Sequence, residues 1–174
     1  MNGTTTLVIG ATGILAPAAT QLRRQGQVIG VARRAVHRQT PDGQADLAVN
    51  ARDHVALARS LHDLSWDDAV VYAPTMSADS LRYVRERTPG RVVLVCTTEW
   101  ADPQGGYEMP PQHSVGEGAL LILQLGWRED LAAARSAGES VWHSETEISE
   151  AALQVLESGQ ASVLGVIRPW SDRP

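Results

Sequence analysis

The feature that most constrains this 174-residue sequence is one ten-residue stretch near its start, Leu7-Val8-Ile9-Gly10-Ala11-Thr12-Gly13-Ile14-Leu15-Ala16. Leu7-Val8-Ile9 reads as a short strand buried on both faces, the next residues as a glycine turn, and Ile14 onward as a helix. A strand handed to a helix in this way aims backbone N–H groups and the positive end of the helix dipole at one spot, which suits a phosphate. Gly10 allows the sharp turn, Gly13 lets a pyrophosphate approach the backbone, and Ala16 is small enough for the helix to lie close on the strand. Thr12 adds a hydroxyl beside the same pocket. The six residues Gly10, Ala11, Thr12, Gly13, Ile14 and Leu15 are therefore expected to hold the diphosphate of a dinucleotide.

Apolar runs alternate with amphipathic segments along the rest of the chain, which predicts an α/β fold. The expected form is a Rossmann-type, doubly wound parallel sheet of about six or seven strands in α/β/α layers, forming one domain over residues 1–174. Helical spacing covers Ile14–Gln25, and Gly26 stops it. Gln27–Ala32 reads as the second strand and Ala45–Val49 as a weak third. A helix follows over Ala51–Leu64, a strand over Asp67–Ala73 and a helix from Ser77 to Arg87. Arg91–Cys96 and Ala119–Trp127 read as the fifth and sixth strands, with residues 128–138 a loop or short helix between elements. Ser144 and Glu147 form a capping box for a helix that Gly159 ends, and Ala161–Ile167 is the last strand.

Composition removes several classes. A net charge of −5 argues against a nucleic-acid partner. No apolar run reaches membrane-spanning length, and no Lys or Arg precedes Leu7–Ala19, so neither a membrane partner nor a signal peptide is expected and a cytoplasmic location follows. Cys96 stands alone in the apolar run Val92–Cys96 and reads as a core residue. His54 and His62 lack further ligands nearby, so no metal is expected. All 15 basic residues are arginine. Without lysine these residues offer no Schiff base, no Lys-bearing phosphate loop and no Tyr-Lys catalytic pair.

Gly-Ala-Thr-Gly-x-x-Ala directly after Leu-Val-Ile resembles the extended and atypical short-chain dehydrogenase/reductase superfamily, including its NmrA-like and flavin/biliverdin reductase-like members. The resemblance implies an NAD(P)-binding Rossmann domain. It also implies that Asp46 and Leu47 lie beside the adenine and that Ala73, Pro74 and Thr75 face the nicotinamide-side ribose. At the end of the second strand, NAD-selective folds carry an acidic residue for the ribose hydroxyls. Here Arg33 and Arg34 stand instead, shaped for a phosphate, so NADP(H) is expected ahead of NAD(H). The chain departs from the superfamily's usual members where they place Tyr-x-x-x-Lys: Tyr107 is followed four positions later by Pro111. The resemblance carries fold and cofactor, not that mechanism.

Ligands of open α/β sheets bind outside the carboxyl ends of the strands, which marks Thr97, Thr98 and Glu99 as the floor of a site. The candidates for a general acid are His143, Tyr107, His113 and Glu99, with His143 first because imidazole titrates near neutrality. Trp100, Trp127 and Trp142 either line a pocket for a flat substrate or fill the core. Three functions stay open: an NADPH-dependent reductase of a conjugated or aromatic small molecule, a non-catalytic dinucleotide-binding regulator, and a non-redox isomerase, cyclase or lyase on the same fold. The apolar Ala119–Leu125 strand, expected near a sheet edge, leaves a homodimer open.

Overall fold

The computed structural model describes residues 3–34, 46–104, 119–130 and 135–173. Seven strands form one sheet: β1 (Thr5–Ile9), β2 (Gln27–Ala32), β3 (Leu47–Ala48), β4 (Asp68–Tyr72), β5 (Arg91–Cys96), β6 (Ala119–Leu125) and β7 (Ser162–Leu164). Their order is β3-β2-β1-β4-β5-β6-β7, and every pairing is parallel. Continuous apolar runs such as Val92–Cys96 form these strands because helices cover both faces, so no solvent-facing alternation is needed. Leu7 pairs across to Ile29 on one side and Ala69 on the other, which places β1 inside the sheet, next to the central β4.

Successive side chains of β1 feed two cores. Leu7 and Ile9 face the layer that holds Leu57, Leu61, Leu81 and Val84, from α2 (His54–Leu61) and α3 (Ala78–Arg87). Val8 faces Ala18, Ala19, Leu22, Ala152 and Val155, from α1 (Ala16–Gln25) and α4 (Glu145–Ser158). The result is the expected three-layer, doubly wound arrangement. The strands added after β1 run one way to β3, and β4 then returns to β1's other side. The loops leaving β1 and β4 therefore part onto opposite faces and open a crevice between their carboxyl ends.

Local signals explain the element ends. Ser77 caps α3 by accepting from the Ser80 amide at 3.2 Å, and Ser144 and Glu147 cap α4 reciprocally. Gly159 ends α4 in the left-handed conformation, with φ 69°. The expected helix over Ala51–Leu64 starts later, at His54, because Asp53 caps it, accepting from the Ala56 amide at 3.0 Å, and it ends at Leu61. The sixth strand pairs with β5 on one side and β7 on the other, and its apolar side chains Leu120, Ile122, Leu123 and Leu125 are buried in the cores on the two faces of the sheet. As expected it lies near a sheet edge, one strand in, and the short β7 forms the edge itself.

Candidate functional site

The crevice at the strand reversal is a cleft of about 410 Å³, lined in part by Gly10, Thr12, Gly13 and Ile14 from the first turn. Gly10 has φ 103°, a conformation that side chains rarely adopt, and its amide donates to the Val31 carbonyl at 2.9 Å. The Ala11 amide donates to the same carbonyl at 3.2 Å, and the Gly13 amide to the Gly10 carbonyl at 3.1 Å. The amides of Thr12, Ile14 and Leu15 form no hydrogen bond with a described residue, and no side chain caps α1. Unpaired donors at a helix start favour an anion.

Gly13 supplies a second test of that fit. A Cβ placed on it would meet nothing nearer than the Gly10 carbonyl oxygen at 3.9 Å. No described residue requires glycine there, whereas a diphosphate lying on the loop would. The residues present thus fit the group that the sequence implied.

Of the other expected cofactor contacts, Arg33, Arg34 and Thr75 line the same cleft. Both arginines are exposed, and neither pairs with a described residue. Thr75 is held by donating its hydroxyl to the Tyr72 carbonyl at 2.7 Å. Ala11, Leu15 and Ala73 are instead buried core residues that back the cleft. Pro74 does not line the cleft. Its carbonyl accepts from Arg52 Nε at 3.1 Å and Nη2 at 2.7 Å, which pins the turn after β4.

Asp46 is placed differently from the expectation. Its buried carboxylate is ion-paired with Arg23 of α1 and is absent from the cleft lining. Gly30 of β2 makes this arrangement fit, since a Cβ there would collide with the Asp46 carboxylate and come within 2.9 Å of Arg23 Nη2. Leu47 pairs with Val31 in the sheet, and the apolar walls of the cleft come from Val31, Val49 and Ala51. No acidic side chain is among the described residues lining the cleft.

A second cavity, of about 270 Å³, adjoins the cleft and shares Ile14 and Tyr72 with it. Thr97, Thr98, Trp142 and His143 line it, as does Ile148 from the first turns of α4. The sequence-predicted strand-end and pre-helix residues therefore meet at one place. His143 carries a surprise. Both ring nitrogens are shut off from solvent without a hydrogen-bond partner among the described residues, and the Glu147 Oε1 carboxylate oxygen is 3.7 Å from Nδ1. A Cβ on Gly165 would collide with His143 Nε2, so the glycine makes room for the ring. Glu147 is itself held below the usual carboxylate range, chiefly by accepting from the Ser144 amide and hydroxyl, both at 2.8 Å. The Thr97 hydroxyl is likewise buried without a partner.

Glu99 stands exposed beside the cavity on the short turn after β5. Tyr107 and His113 lie outside the described residues. Trp127 is core, at 4 % exposure, while Trp142 is 42 % exposed at the cavity. Burial pushes the Cys96 thiol up to about 12, so it stays a neutral core group. Tyr72 is the functional position that the sequence reading passed over. Burial, and secondarily the charge of Glu99, push its phenol up, so it stays protonated at neutral pH. Its one sequence signal is its place at the carboxyl end of β4, next to the reversal in strand order. Among the described residues no group of His, Cys, Asp and Glu is arranged to hold a metal, and no helix is long and apolar enough to cross a membrane.

No family model and no curated protein matches the sequence. Solved structures do match. An NADH-dependent reductase responsible for alginate metabolism, A1-R′, is 12% identical with a TM-score of 0.60, over 95% of this chain and 96% of that one. An oxidoreductase of the short chain dehydrogenase/reductase family from Burkholderia thailandensis is 14% identical with a TM-score of 0.55, over 99% and 95%. The UDP-glucose 4-epimerase of Thermus thermophilus, solved in complex with NAD, is 14% identical with a TM-score of 0.57, over 93% and 77%. At such identities the likeness is one of fold, and the fold it shows is the Rossmann-type α/β sheet of NAD-dependent reductases and epimerases.

Proposed function

We propose that this chain is an NADPH-dependent reductase of a small conjugated or aromatic acceptor. The observation that carries the reading is the adjacency of two concavities of different chemistry. One has a glycine turn with amides, and two guanidiniums, that have no partner among the described residues; the other is mostly apolar and opens beside it, sharing Ile14 and Tyr72. When bound, the dinucleotide supplies a hydride.

The chain's own residues do the rest. Amides of the Gly10–Leu15 turn take the diphosphate, and Arg33 and Arg34 take the ribose 2′-phosphate of NADPH. The choice of NADPH over NADH gains support from Asp46, whose carboxylate is already committed to Arg23 and so does not bind ribose hydroxyls. Thr75 and the pinned Pro74 turn hold the nicotinamide-side ribose. Trp142, Leu125 and Ile148 keep the acceptor against the cleft and away from water, and positioning of this kind supplies much of the rate. Thr98 faces the same cavity. His143 forms its far wall, and proton delivery from it requires the ring to turn, because neither nitrogen reaches solvent in the present arrangement. A conjugated acceptor places little demand on such an acid, since it can draw its proton from water.

The test is oxidation of NADPH by the purified chain, followed by loss of absorbance, with a panel of quinones, flavins and conjugated carbonyl compounds. Turnover with at least one acceptor is expected. Tight NADPH binding with no turnover on any acceptor would instead favour a non-catalytic role.

A further inference from the structure

We propose that the second cavity takes an uncharged, planar carbonyl compound and that the Tyr72 hydroxyl donates a hydrogen bond to its carbonyl oxygen. This deepens the reading above and rests on it for the identity of the site.

The case begins with charge. Among the described residues no Lys or Arg lines the second cavity. The sequence from Val92 to Trp127 contains no arginine and carries Glu99, Asp102, Glu108 and Glu117. The next cation along the chain, Arg128, is already committed: it donates to Asp130 at 2.9 and 2.7 Å and to Glu139 at 3.2 Å. A carboxylate, sulfonate or phosphate entering the cavity would lose water without gaining a counter-charge, which is costly. Arg33 and Arg34 line only the dinucleotide cleft, where the 2′-phosphate engages them.

Shape and donors narrow the class further. At about 270 Å³ the cavity falls just below the roughly 300–1,000 Å³ usual for ligand pockets, so the ligand is small. Its apolar walls include Ile14, Leu125, Ile148 and the half-exposed Trp142 indole, which offers a flat face for stacking. Among its polar groups, the Thr97 hydroxyl and both His143 nitrogens are sealed from solvent. The hydroxyls of Tyr72 and Thr98 form no hydrogen bond with any described residue and are not sealed, and of the two only Tyr72 also lines the dinucleotide cleft. Among the described residues Tyr72 is also the one polar side chain lining both concavities, so a carbonyl bonded to it lies next to the proposed nicotinamide site.

Calorimetric titration of the full chain, pre-saturated with NADP⁺ so that no reduction occurs, tests this with a naphthoquinone and its ring-sulfonated analogue. The neutral quinone is expected to bind at least about tenfold more tightly than the sulfonate, the cost of an uncompensated charge. Tyr72→Phe is expected to weaken the neutral quinone about fivefold, the net worth of one hydrogen bond. Glu99→Gln should narrow the gap between the two ligands, and it reads the charge argument even if the tyrosine variant fails to fold. Equal or tighter binding of the sulfonate overturns the inference. So does an unchanged affinity in Tyr72→Phe, or failure of both quinones to bind. The NADP⁺ titration that precedes each run reads the dinucleotide site separately, so loss of the acceptor inference is distinguishable from loss of the cofactor reading.

Discussion

Gly10 and Gly13 are glycine for different reasons. Gly10 needs its freedom for the backbone itself, at φ 103° and with a Cβ position only 3.4 Å from Tyr72 Cβ. A Cβ on Gly13 would make only ordinary contact with the Gly10 carbonyl oxygen at 3.9 Å and crowd no described residue, so its smallness answers to a ligand. Gly13→Val is therefore expected to change folding stability by no more than about 0.5 kcal/mol, as for a surface site, while abolishing dinucleotide binding. Thermal melting and calorimetry on the same sample check both halves, and a variant that still binds would contradict the role given to the turn. The arginines give a sharper chemical test. Replacing both Arg33 and Arg34 by alanine should remove charge-assisted bonds worth about 1.5–3 kcal/mol. NADPH should then weaken by about 10–100-fold with NADH unmoved. An equal loss for both cofactors would sink the 2′-phosphate assignment. At this scale the turn, the arginine pair and Thr75 were legible in the sequence, because glycine, arginine and threonine announce backbone or phosphate chemistry by type. Tyr72 was not, since a tyrosine closing an apolar strand looks like one more core residue until the two cavities are seen to meet at it.

Among the elements, the second and fifth strands could be bounded to the residue, since parallel strands covered on both sides appear as unbroken apolar runs closed by polar or glycine residues. The capping signals at Ser77 and at Ser144 with Glu147 located two helix starts for the same reason: each is a local hydrogen-bond pattern. β3 and Asp46 were harder because their explanation is tertiary. Asp46 is drawn inward by Arg23, which approaches from α1 across β2, and Gly30 is the gap through which they meet. A glycine inside an apolar strand was the available clue, since it marks a close approach by another group. With side chains only 11% and 5% exposed, the pair is effectively buried. Asp46→Asn leaves the guanidinium without its counter-charge and is expected to cost about 3–5 kcal/mol in urea unfolding, with NADPH affinity of the folded protein unchanged. A loss below about 1 kcal/mol would mean that water already screens the pair.

Over the whole molecule, the order of the strands does more than any one side chain. Reversal at β1 and β4 opens the crevice, brings the Gly10–Leu15 turn, Arg33, Arg34 and Thr75 to its walls, and puts the ends of β5 and β6 and the entry to α4 around the neighbouring cavity. This convergence follows from topology, which is why residues distant in sequence, such as Thr97 and His143, could be expected at one site. The orientation of the His143 ring could not, because it depends on the space left by Gly165, a residue on the far side of α4 in sequence. The sheet edge was legible only in part: β6 lies near it, as its place late in the chain implied, but the short β7 that forms the edge has few apolar residues to announce it. The central claim is that the crevice is a dinucleotide site selective for NADPH. Calorimetric titration of the unmodified chain with NADPH and then with NADH tests it most directly. Saturable binding of one NADPH per chain is expected, at a Kd of about micromolar and at least about tenfold tighter than NADH. The absence of binding by either nucleotide at millimolar concentration, or a preference for NADH, would contradict it.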